Sequence, residues 1–121
     1  MTQTFGAKHR PSAAHIEIAL QHSDKAIQQG QRLQQVAQQL MEEGRLDADT
    51  GKAIAEHGAH IEEYGYQSKH WATVAQDSPP EAAHQAMEKA TELHSEAAAE
   101  HIAATKKFAQ VFQSYLKQVS E

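Results

Sequence analysis

Strong helix-breaking signals interrupt the interior of this 121-residue chain at only two places, Gly44-Arg45-Leu46-Asp47 and Asp77-Ser78-Pro79-Pro80, and nothing comparable follows Pro80. A chain punctuated in this way can form three long helices and little else. Its composition agrees, because 22 Ala, 15 Gln, 12 Glu and 8 Lys stand against 3 Pro and 6 Gly. At this length one domain with one modest core is expected. The expected fold is all-α, an antiparallel bundle of three long helices over residues 12–121, after a flexible arm at 1–11 that shows no periodicity and carries Phe5 as its one anchor candidate.

The helices can be bounded from local chemistry. Pro11 discourages helix upstream and Ser12 can cap, so the first helix is expected at about 13–43, with Ile16, Leu20, Ile27, Leu33, Val36, Ala37, Leu40 and Met41 turned inward and Gly44 as its stop. Asp47 or Asp49 can cap the second, at about 48–76. Within it Gly51, Gly58 and Gly65 lie seven apart, beside stripes of Ile54, Ile61, Ser68 and of His57, Tyr64, Trp71. Glycine costs a helix roughly 1 kcal/mol relative to alanine. Three in register imply close approach of another backbone, and the first helix offers a matching small stripe in Ala19, Ser23, Ala26 and Gly30. Ser78 is expected to cap the third helix, with Pro79 in its first turn and a run from about 79 to 121.

That third helix is too long for its partners, at about 60 Å against about 45 Å for each of the others. Reflecting the chain through its two turns places the 44–47 turn level with residues 109–112. Phe112, Tyr115, Leu116 and Val119 then overhang the bundle, and each large apolar side chain left in water forfeits ~1.5–3 kcal/mol. They are expected to meet a second subunit, a protein partner or the arm folded back, unless the helix kinks. A homodimer through this overhang and the glycine face is the leading expectation.

Nine histidines are the one compositional oddity. Neutral imidazole is the commonest metal ligand, so spacing matters. Only His57 and His60 can share an ion on one helix, with Glu56 and Glu63 nearby; His84 and Glu88 form a weaker pair. The reflection brings His22 level with His70 and His70 near His84, and sets His57 and His60 near His94 and His101. The rotation of the helices, which decides where the rings point, is left open by the sequence.

The run from Ala14 to Gly30, with His15-Ile16-Glu17 and His22-Ser23-Asp24 seven apart, resembles the heptad unit of the histidine-rich small metal-binding proteins. Helix three repeats the spacing in His94 and His101. The resemblance implies a helical bundle that binds Cu, Nickel or Zn ions (Cu, Ni or Zn) through His15, His22, His94 and His101, in scavenging or storage.

Other classes are disfavoured. Without cysteine there is neither disulfide nor thiolate site, and a formal charge of −5 gives phosphate backbones little attraction, so no nucleic-acid partner is expected. No membrane span and no secretory signal stand out, which makes a cytoplasmic location the expectation, or a periplasmic one if a signal has been removed. Phosphate loops, nucleophile elbows and the paired Glu-x-x-His of di-iron bundles are not met, so no enzyme is expected. Two readings stand: a non-enzymatic bundle binding divalent metal through histidines, or an interaction module (adaptor, chaperone or neutralising partner) that uses the overhang.

Overall fold

The computed structural model describes residues 10–120, apart from the side chains at positions 115 and 120. They form an all-α antiparallel bundle of three helices, α1 (Ala13–Glu42), α2 (Ala48–Gln76) and α3 (Pro80–Ser120), with no strand among the described residues. Residues 1–9, with Phe5 and His9, lie outside the described residues.

Each boundary has a local cause. Ser12 Oγ accepts from the His15 amide at 3.0 Å and starts α1. Gly44, at φ 73°, ends it: the Gly44 amide donates to Met41 and the Arg45 amide to Leu40, the paired bonds of a Schellman motif. Asp47, rather than Asp49, caps α2 by accepting from the Thr50 amide at 2.7 Å; that backbone bond, with one from the Thr50 hydroxyl, holds its carboxyl below the ordinary value. The third start differs from expectation. Ser78 does not cap α3 but donates its hydroxyl back to the Val74 carbonyl at the end of α2, and α3 begins at Pro80, with the Pro79 carbonyl accepting from Ala83. A residue before proline is pushed out of the α region, so Pro79, which precedes Pro80, cannot be the first helical residue.

The core runs along α2, which packs against both α1 and α3, while α1 and α3 meet sparsely. Ile54 and Ile61 are fully buried, and Ala72, Ala75, Ala83 and Ala90 carry helix contacts above them. Gly58 and Gly65 do what the spacing implied and meet the backbone of α1, whereas Gly51 faces the Met41 side chain. A Cβ on Gly30 would lie 2.5 Å from the Glu62 amide nitrogen and from the Gly58 carbonyl oxygen, and one on Gly65 would lie 2.8 Å from Ile27. Beside this seam the Gln-rich stretch of α1 finds partners on α2: Gln34 and Gln31 donate to Glu62, and these bonds hold its carboxyl below the ordinary value. No helix among the described residues is long and apolar enough to cross a membrane.

A serine bridge links the three helices. Ser23 donates to Ser68 at 3.1 Å, and Ser68 donates to the Ala90 carbonyl at 3.1 Å; the Ser23 proton can also turn to Ala19 in its own helix. Ser68 therefore takes the third place of the isoleucine stripe without an unsatisfied buried hydroxyl.

Candidate functional site

Three features of the surface follow from this architecture. The first is the end of α3, which has 41 residues against 30 in α1 and 29 in α2. Phe108 and Val111 still join the apolar cluster of Ala37, Leu46 and Ile54 at the α1–α2 turn. Beyond them Phe112 is 60% exposed, Leu116 48% and Val119 64%. The overhang expected from the reflected lengths is therefore present, while the side chain of Tyr115 lies outside the described residues.

The second feature joins α2 to α3. His57 Nδ1 lies 2.7 Å and His60 Nδ1 3.3 Å from the same Glu100 oxygen. A carboxylate only accepts, so these contacts assign the proton to Nδ1 on both rings and leave each Nε2 uncommitted to Glu100. Partial burial alone would raise the Glu100 carboxyl, but hydrogen bonds from His57 and His60, with their Coulombic attraction, outweigh it and hold the group below its ordinary value. Glu100 was missed by the sequence reading, although the reflected register put residue 99 opposite His57. His94 and His101, expected at this level, face elsewhere.

They face the third feature, a trough between α1 and α3. Its upper cleft, about 420 Å³, is lined by His15, His22, His84 and His94, and its lower cleft, about 250 Å³, by His22, His94 and His101. His22 and His94 stack with ring centroids 5.0 Å apart. His22 thus meets His94 of α3, and His70 turns edge-on to Trp71, with ring centroids 5.2 Å apart, instead of completing a layer with His22 and His84. The cause is rotation: α1 meets α2 through its small residues, which turns the histidine stripe of α1 toward α3. Among the described residues no group of three or more His, Asp or Glu side chains is arranged to hold a metal ion.

Sequence reasoning also missed Arg10. Its guanidinium donates to the carbonyls of Gln76 at 2.5 Å and Ser78 at 2.6 Å, with a longer contact to Ala75, and so neutralises the open carbonyl end of α2. Residue 10 is therefore tied to the bundle and not part of a loose arm. The antiparallel hairpin carried the signal, because it sets the start of α1 beside the end of α2. Comparison of the chain with protein-family models, with curated proteins and with solved structures finds no match.

Proposed function

We propose that this protein is a helical interaction module that associates with a second copy of itself through the projecting end of α3. The observation that carries this reading is the exposure of Phe112, Leu116 and Val119 on a helical segment beyond the last residues that join the core. Burying a large apolar side chain contributes ~1.5–3 kcal/mol, enough in a symmetric pair to drive association at micromolar concentration. Charge fits the same arrangement. An antiparallel pairing centred on position 115 sets the second copy's Lys117 opposite Gln113, beside the α1–α2 turn, where Glu42, Glu43, Asp47 and Asp49 outnumber Arg45 and Lys52. Residues of that turn, Leu46 and Asp47 among them, already share a cleft with Gln110, Ser114 and Gln118 of α3.

Sedimentation velocity tests it. The parent is expected to sediment as a dimer at tens of micromolar, and Leu116→Glu/Val119→Glu as a helical monomer. A parent that stays monomeric at high micromolar concentration, or a dimer indifferent to the double substitution, overturns the reading.

A second reading is capture of a divalent transition metal such as Cu(II), Ni(II) or Zn(II). What favours it is the gathering of His15, His22, His84, His94 and His101 along one trough. His57 and His60, held to Glu100 through Nδ1, would offer Nε2 to the ion, and His70 stands apart. Calorimetric titration of tag-free protein with each ion decides it. Binding should be tightest for Cu(II), weaken as pH falls through ~6.5, and drop in His22→Ala/His94→Ala. No heat with any of the three removes this reading.

A further inference from the structure

Between Glu100 and Glu121 the sequence holds no acidic residue, and α3 carries Lys106, Lys107 and Lys117 over that stretch. The chain has a formal charge of −5, so these three lysines leave −8 on the remainder. The same stretch holds a continuous apolar stripe. Ile102, Thr105, Ala109, Phe112, Leu116 and Val119 succeed one another at steps of three and four, which sets them on one side of the helix, and all six are exposed. Four of them, at 55%, 60%, 48% and 64%, stand with Ile18 and Tyr66 as the exposed large apolar side chains among the described residues. The stripe therefore runs back from the projecting end along the body of the bundle to Ile102. The side of α3 turned to α2 is a different one, where Ala104 is buried and Phe108 and Val111 join the cluster of Leu46 and Ile54.

The lysines and the acids divide around this stripe. Lys106 follows Thr105 and Lys117 follows Leu116, each about 100° further round the helix, so both border the stripe along one edge. Lys107 lies further round, in a cleft that also takes in Asp47, Gln110, Ser114 and Gln118. Those α3 positions fall on the opposite side of the helix from the stripe, and Asp47 is turned away with them. Glu100 is held against α2 by His57 and His60, and Glu43 at the end of α1 is met by Arg45 at 3.6 Å.

We propose that this half of α3 docks on an anionic lipid surface as an interfacial amphipathic helix, with the stripe in the headgroup boundary and Lys106 and Lys117 against lipid phosphates. A basic edge beside an apolar face that carries Phe and Leu is the pattern of helices that lie in the plane of a membrane without crossing it. Each lysine close to an anionic leaflet strengthens binding roughly fivefold. The acidic body does not cancel this attraction, because the helix from Phe112 to Ser120 extends about 12 Å, more than a Debye length at physiological salt. A second copy paired through the projecting ends leaves Ile102 and Thr105 uncovered, whereas a flat surface meets the stripe along its whole length of about 25 Å. The inference rests on the exposure of this face and not on the pairing of two copies; lipid and a second copy compete for the projecting end.

Flotation of the full chain with vesicles tests it, at sub-micromolar protein so that pairing does not intervene. The probes are vesicles of phosphatidylcholine with about one-third phosphatidylglycerol, beside vesicles of phosphatidylcholine alone. The anionic vesicles are expected to bind at least tenfold more tightly, and to lose at least fivefold in affinity between about 0.05 M and about 0.5 M NaCl. Lys106→Gln/Lys117→Gln and Leu116→Glu/Val119→Glu should each weaken that binding at least tenfold, and Ile102→Gln severalfold, with helicity checked by circular dichroism. Lys52→Gln/Lys89→Gln, the same charge change at exposed positions of α2 and of the start of α3, should bind like the parent. Absence of flotation with anionic vesicles, as for a stripe that meets only protein, overturns the proposal. So does equal binding to the two kinds of vesicle, or an equal loss in the Lys52/Lys89 variant. Sedimentation without lipid is a separate readout: a dimer that ignores vesicles overturns the lipid surface and leaves the pairing standing, and a monomer that floats with anionic vesicles does the reverse.

Discussion

Glycine in the middle of a helix is unfavourable by about 1 kcal/mol relative to alanine, so Gly→Ala would ordinarily stabilise α1 or α2. At Gly30 the added methyl would meet two backbone atoms at 2.5 Å, the Glu62 amide nitrogen and the Gly58 carbonyl oxygen, and neither can move without separating the helices. Overpacking of this kind costs ~1–3 kcal/mol. Gly30→Ala is therefore expected to be net destabilising, by up to about 2 kcal/mol after the propensity gain. At Gly51 the same methyl meets only the thioether of Met41, a flexible chain that can change rotamer. Gly51→Ala is expected to fall within about 0.5 kcal/mol of the parent. Urea midpoints of the two variants check the pair, and equal stabilisation by both would mean that the α1–α2 seam is looser than described. The Ser12 hydroxyl gives an independent check on the helix start: Ser12→Ala should lower stability by about 1 kcal/mol through loss of the bond to the His15 amide.

Between elements, the contact of His57 and His60 with Glu100 ties α2 to α3. Glu100 is held below its ordinary carboxyl value, so its contribution is complete above the unfolded-state value of ~4.3 and is lost as pH falls through the lower, folded one. Glu100→Gln keeps the shape and removes the charge. It should cost about 1 kcal/mol at pH 7, a charge-assisted bond of this burial being near the low end of the range. Thermal midpoints of parent and variant should converge as acidification protonates Glu100 in the parent; a gap unchanged down to strongly acid pH would show that charge plays no part. The helices themselves were legible because breakers, periodicity and the Ser12 and Asp47 caps act over a few residues. The α3 start was misread by one position because the competition between Ser78, Pro79 and Pro80 is settled by the pre-proline rule, which outweighs serine's preference for a cap. The register across helices was legible to about one residue. Which histidines meet was not, because rotation about each axis is set by where the glycine seam lies, and so His22 found His94 while His57 and His60 found Glu100.

At the scale of the whole molecule, a central helix with two flanking ones that scarcely touch leaves apolar surface in two places, along the trough and beyond the α1–α2 turn. Length sets the second. α3 continues past the last residues that join the core, so its final turns contribute helix hydrogen bonds while Phe112, Leu116 and Val119 stay 60%, 48% and 64% exposed within one copy. Helical segments of that size are marginal in water without packing. Association with a second copy would stabilise them, and the stabilisation would then depend on concentration by mass action. The thermal midpoint of the parent is therefore expected to rise by a few degrees over a hundredfold increase in protein concentration, since ~1–3 kcal/mol moves the midpoint of a domain this size by several degrees. Leu116→Glu/Val119→Glu should show one midpoint at every concentration, close to the parent's dilute value, because Leu116 and Val119 are 48% and 64% exposed in one copy. A calorimetric series from micromolar to near-millimolar protein measures both slopes. A flat parent series means that the end of α3 is stable without a second copy, and a double variant that melts well below the dilute parent means that Leu116 and Val119 already pack within their own chain.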